Sequence, residues 1–235
     1  TSGTLYGYSA KPISDPENGL SGFCSSSGGW LPLLCTMNCT VATEFVRGLF
    51  NFSISDLEVA SSKAPCGSEG VIVLPFFNGE RTPNLPNGRA SITGLTTANT
   101  NRENICRASM ESAVFAMRGG LEAFRKLGFE PKEIRLIGGG SKSATWRQIA
   151  ADIMNLPVRV PVLDEAAALG AAVQALWCLE SEKAGKPADI AALCAEHIKL
   201  DTEATTNPIP ENVAAYDKAY DAYNTVLDAV KPLYI

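Results

Sequence analysis

Apolar positions recur along this chain in two periods, and the switch between them marks its elements. Residues 5–8, 20–25 and 30–35 read as short β segments separated by Asp15-Pro16-Glu17-Asn18-Gly19 and Ser27-Gly28-Gly29 turns, which predicts an antiparallel meander. Beyond Asn38 the spacing lengthens to three and four: Val41, Phe45 and Leu49, with Ala42 and Val46, predict a helix starting at Cys39 or Thr40. A second short helix is predicted over 56–63 and an apolar strand over 71–77. The Gly/Pro-rich stretch 78–88 then reads as a surface loop, a kind of segment that often bears function.

A long amphipathic helix comes next. Thr100 and Glu103 have the spacing of a capping box, and Ile105, Ala108, Ser112, Ala113, Ala116, Met117, Gly120, Leu121, Phe124 and Leu127 form one face, stopped by Gly128 and Pro131. So many small residues let another backbone come close, and the Gly119-Gly120 pair is costly inside a helix without such a reason, so this face is expected against a sheet. Strand 134–137, turn 138–143, helix 145–155, strand 158–162 and helix 165–180 follow in alternation, which indicates an α/β layer architecture. From Ser181 the chain turns Ala- and charge-rich. It ends in a helix over 212–231 striped by Val213, Tyr216, Tyr220, Tyr223, Leu227 and Val230. No repeat or linker divides the chain, so residues 1–235 are read as one domain with decorations.

Composition narrows the chemistry. The 235 residues, 46% hydrophobic, are enough for a sizeable core, and the net charge of -5 lacks the basic excess expected for nucleic acid or anionic membrane partners. The opening residues have neither a charged n-region nor an apolar h-region, and no window is apolar enough to span a bilayer. Seven scattered cysteines without a C-x-x-C pair fit a reducing cytoplasm. The lone His197, after Glu196 in a late helical stretch, reads as a surface residue, which leaves neither a zinc site nor a Ser-His-Asp triad. The chain opens abruptly inside Thr1-Ser2-Gly3-Thr4, as an excised half would.

The strongest chemical candidate is Ile134-Arg135-Leu136-Ile137-Gly138-Gly139-Gly140-Ser141-Lys142-Ser143, a strand delivering three glycines to a helix N-terminus. Backbone amides there can face a nucleotide with no Cβ in the way. It is not a Walker A loop, because Ser141 separates Gly140 from Lys142, nor a Rossmann fingerprint, because Ser143 stands where glycine is needed. From these residues alone it is either a nucleotide site or a tight strand-to-helix connection.

Its neighbours resemble the FGGY family of sugar kinases. Gly138-Gly139-Gly140-Ser141 with Trp146, Gln148 and Asp152 is similar to the family's adenosine motif, and Ala90-Ser91-Ile92-Thr93-Gly94-Leu95 with Asn104-Ile105 and Ala108-Ser109-Met110-Glu111 to its second signature. Thr1-Ser2-Gly3-Thr4 looks like its second phosphate loop. Gly79-Glu80-Arg81-Thr82-Pro83 and the run from Asp164 to Ala172 resemble xylulokinases in particular, and the likeness covers about residues 1–180.

This resemblance implies an RNase H-like, actin-like ATPase domain, a mixed sheet with flanking helices, forming the C-terminal half of a two-domain sugar kinase. It implies ATP and Mg²⁺ as cofactors, D-xylulose as the sugar, and the chain's own N-terminal domain as partner, with a homodimer left open. The catalytic Asp base is then expected in the N-terminal half and no catalytic residue here, so the chain alone is expected to be inactive. Thr1 and Gly3 would serve the phosphates, Asn38 would stand beside them at a helix start, and Gly139, Gly140 and Ser143 would serve the adenosine. Glu80 and Arg81 would belong to a cleft loop. Plainer readings stay beside these: Glu80 and Arg81 as a solvated loop pair, Asp152 on an outer helix face, Trp146 in the core and Asn38 as a helix cap. A kinase for glycerol, gluconate or ribulose, or a non-catalytic actin-like nucleotide-binding module, are the other functions considered.

Overall fold

The computed structural model describes residues 2–234, so the expectation for Thr1 lies outside the described residues. Strands β1 (Gly3–Tyr6), β2 (Ser21–Cys24) and β3 (Trp30–Thr36) form an antiparallel sheet, but in the order β1-β3-β2 rather than that of a meander. Burial explains the difference. β3 turns Pro32, Leu34 and Thr36 inward, whereas every residue of β2 is exposed, and a strand with no face to bury belongs at an edge.

Helix α1 spans Thr40–Leu49, as its spacing required. Helix α2 spans Ile54–Lys63, two residues longer than expected, because Ser53 and Asp56 make a reciprocal capping box in front of it. Strands β4 (Ile72–Leu74) and β5 (Ser91–Thr93) pair antiparallel and flank the 78–88 loop.

Helix α3, Arg102–Lys126, is the centre of the molecule. Asn101, not Thr100, caps it: the Asn101 side chain accepts from the Asn104 N–H at 2.8 Å, while the Thr100 hydroxyl donates to the Thr96 carbonyl. From Cys106 to Phe115 every residue is buried, including Arg107 and Glu111, so α3 is enclosed all round there rather than on one face. The close approach that its small residues demanded is found at Gly120, where an added Cβ would stand 2.8 Å from Leu34 Cδ1 of β3.

The remaining elements are β6 (Ile134–Arg135), α4 (Ala144–Met154), β7 (Val158–Pro161), α5 (Ala166–Ala184), α6 (Ile190–His197), β8 (Leu200–Thr206) and α7 (Pro210–Val230). β6 and β7 are parallel, as strand-helix-strand alternation requires, and β8 adds antiparallel to β7. β8 is too polar (Leu-Asp-Thr-Glu-Ala-Thr-Thr) to be read as a strand from its sequence. β6 is a short edge strand of two residues with Arg135 exposed, not the four-residue strand expected over 134–137. The tyrosine stripe of α7 does pack inward: Tyr216, Tyr220 and Tyr223 surround Phe115 of α3 with ring centroids at 6.1, 5.8 and 5.3 Å. Among the described residues no helix is long and apolar enough to cross a membrane.

Candidate nucleotide site

Two groups of the expected residues form, each at the end of a strand. The first gathers where β1 meets the start of α1. A Cβ at Gly3 would lie 2.9 Å from Met117 Cε and 3.0 Å from Cys39 Cβ, so β1 passes close to α3 and to the residue before α1, and a side chain here would have to displace them. Burial pushes the Cys39 thiol up to about 11.

Asn38 is fully buried and is not a helix cap; Cys39 holds that position without a side-chain bond. The Asn38 amide donates to the Gly79 carbonyl (2.6 Å) and to Glu80 Oε2 (3.0 Å), and its oxygen accepts from the Asn78 N–H (3.3 Å). Its side chain therefore fastens the 78–82 loop, and its amide bonds are made within the chain. Glu80 is likewise not a solvated loop residue. It is 2% exposed, and its Oε1 accepts from the N–H groups of Met37 (2.6 Å), Arg81 (2.7 Å) and Thr82 (3.4 Å). Arg81 is exposed, carried on a backbone that Glu80 holds.

The second group is the glycine turn. Gly138 has φ of +86° and ψ of -172°, a region open essentially to glycine alone. Gly139 and Gly140 lie outside the left-handed region, so their glycines are not required by φ. A Cβ on Gly139 would meet nothing within 4 Å, whereas one on Gly140 would touch Trp146 at 3.5 Å, an ordinary contact. Ser143 caps α4 by accepting from the Trp146 N–H at 2.9 Å, and its hydroxyl donates to Glu58 Oε2 of α2. Glu58 Oε1 also accepts from the Thr145 N–H at 2.9 Å. Glu58 thus fixes the helix that leads away from the turn, a role that nothing in the sequence indicated because 85 residues separate it from Ser143.

Beside the turn lies a cleft of about 290 Å³ between residues 136–142 and 160–165, with Leu136, Ile137, Val160 and Leu163 as apolar walls and Gly138 and Gly139 on its border. Ile137 and Leu163 are 46% and 56% exposed, so these walls are open to a flat apolar group. Lys142 Nζ meets Asp164 Oδ2 at 2.7 Å on the rim, and this bond holds the ammonium above its ordinary pKa.

A larger hollow of about 570 Å³ borders Cys66, Arg107, Gln148 and Asn212, but its polar groups are engaged within the chain. Arg107 bonds Glu111 (2.9 Å) and Tyr216 (2.7 Å), while Gln148 and Asn212 both donate to Asp152 at 2.8 Å. Asp152 is fully buried rather than on an outer face, and it also accepts from the Ile209 N–H at the start of α7. Among the described residues no cluster of His, Cys, Asp and Glu is suited to a metal ion.

The two groups do not touch through any of these bonds; both lean on α3, which contacts β1, β3 and α1 as well as α4. Residues 9–179 match the model of the FGGY family of carbohydrate kinases, C-terminal domain. A xylulose kinase of Haemophilus influenzae is 47% identical over 227 residues, covering 97% of this chain and 45% of the relative. One from Streptomyces coelicolor is 36% identical over 185 residues, 78% of this chain and 37% of the relative. The crystal structure of xylulose kinase from Bifidobacterium adolescentis superposes with a TM-score of 0.76 at 36% identity, over 93% of this chain and 42% of that one. The chain thus spans less than half the length of the relatives it matches. With a matched fold of mixed sheet and flanking helices, that of the actin-like ATPases, and a family model covering most of its length, the chain belongs to the FGGY family of carbohydrate kinases, within their C-terminal domain.

Proposed function

We propose that this chain is the nucleotide-binding half of an ATP-dependent kinase that converts D-xylulose to D-xylulose 5-phosphate. The observation that carries the sugar is the 47% identity, over almost the whole chain, to a protein named xylulose kinase. The turn supports the nucleotide: Gly139 borders an apolar cleft and leaves open the space a Cβ would fill.

In this reading Gly139 and Gly140 bring backbone close to the adenosine, Ser143 and Glu58 hold the start of α4 beneath it, and Gly3 faces the phosphates. Asn38 and Glu80 act at one remove by holding the loop that presents Arg81. Bound ATP with Mg²⁺ supplies the transferable phosphoryl group and neutralises its charge. The chain's part is positioning, on which phosphoryl transfer mainly depends. The base that accepts the sugar proton is assigned to the other half of the polypeptide.

Two measurements test this. A coupled ADP-release assay should give D-xylulose-dependent turnover from the chain joined to its N-terminal half and none from the chain alone; turnover by the chain alone would refute the division of labour. Gly139→Val should melt as the parent does, because its side chain enters open space, yet weaken ATP binding in the intact polypeptide. Unchanged ATP affinity would make the turn a mere connection.

A further inference from the structure

We propose that Lys142 and Asp164 are positioning residues, a charge clamp that holds the glycine turn over the cleft and so sets how firmly the cleft keeps its occupant. The inference rests on the nucleotide reading of that cleft.

The turn has little else to fix it. Gly138 and Gly139 are exposed, and a Cβ at either would meet nothing within 4 Å, so no packing restrains this arm. The bonds from Ser141 to the Gly138 carbonyl, through its N–H (3.1 Å) and its hydroxyl (2.7 Å), curl the turn without attaching it to anything. Arg147 holds the Ser141 carbonyl at 2.8 Å, but Arg147 belongs to α4, the helix into which the turn runs. Across the rim the side-chain bond is Lys142 to Asp164, 2.7 Å long. Asp164 stands where the opposite arm enters α5, its carbonyl accepting the Ala166 N–H at 2.9 Å, and neighbouring Glu165 adds negative charge facing the same ammonium.

The side chains of Lys142 and Asp164 are 67% and 64% exposed, so the pair adds little to global stability and is screened by salt. A contact of that size still matters for a turn whose packing is confined to Ser141, which is buried, and Gly140 beside Trp146, and whose Gly138–Gly139 arm packs against nothing. It is worth about two- to fivefold in the population of the held turn.

The probe is adenosine, which carries no charge and so is not drawn to Lys142 by charge attraction as a phosphate would be. In the intact polypeptide, Lys142→Glu and Asp164→Lys should each weaken adenosine binding about two- to fivefold, and the double reversal should restore it. Amide hydrogen exchange at residues 138–142 should speed up in each single variant and slow again in the double. Single variants that bind and exchange as the parent does, or a double variant that recovers neither, would overturn the clamp while leaving Gly139→Val free to report on the site. A parent that binds no adenosine would overturn the nucleotide reading, and with it the clamp as a device for holding a nucleotide.

Discussion

At Glu80 the chain encloses a carboxylate among the backbone donors of Met37, Arg81 and Thr82 and the amide of Asn38. Glu80→Gln would turn one accepting oxygen into an N–H group facing donors. Asn38 cannot flip to compensate without losing its bonds to Gly79 and Asn78. The expected loss is about 1–3 kcal/mol by urea denaturation. Arg81→Ala should stay within about 0.5 kcal/mol of the parent, since its side chain is exposed. If the loop presents Arg81 to the cleft, the same substitution should alter sugar or ATP kinetics of the intact polypeptide. Cysteine chemistry is equally local. Burial pushes Cys39 and Cys106 up to about 11, so at pH 8 only about one thiol in a thousand at these positions is thiolate. Mass spectrometry after brief alkylation of the native chain should find exposed Cys24 and Cys178 modified first and Cys39 and Cys106 intact.

Among the elements, α3 bears the most. Its small residues were legible as a packing face, and Gly120 shows their use, since the Leu34 side chain fills the space where a Cβ would stand. Gly120→Val should overpack this contact and cost about 1–3 kcal/mol, read as a lowered melting temperature. Gly138→Val should cost about 1–3 kcal/mol for a different reason, its positive φ, whereas Gly140→Val should melt near the parent because its neighbour Trp146 is at contact distance and no closer. Sheet order is one element-scale feature that sequence missed. Strand periodicity identifies strands but says nothing of which edge each occupies, and here burial of Leu34 placed β3 in the middle.

For the whole molecule, the junction of α3 and α7 sets the behaviour at high pH. Burial raises the phenols of Tyr216, Tyr220 and Tyr223, Tyr220 to about 12 and the other two beyond it. In the unfolded chain such groups lose their protons near pH 10. The folded state therefore binds more protons above that pH, so the stability these tyrosines contribute is intact below about pH 10 and declines as pH rises toward 12 and beyond. Tyrosinate absorbance and far-ultraviolet circular dichroism followed together should show these three ionising only as the fold is lost. Ionisation of all tyrosines before any loss of helix would contradict their burial.

The sequence by itself determined most of the helices, the α/β alternation, the family and the glycine turn, because these rest on local spacing and on residue types that the backbone needs at one position. It did not reveal β8, whose polar residues join the sheet only by pairing with β7, nor the true roles of Asn38, Glu80 and Asp152. Each of these three looked like a surface or ligand group, and each is buried and hydrogen-bonded to a segment distant in sequence. Glu58 beneath Ser143 and Asp164 opposite Lys142 belong with them. A polar side chain is written in the same letter whether water or the protein satisfies it, and only the tertiary structure, by bringing its partners within reach, decides which.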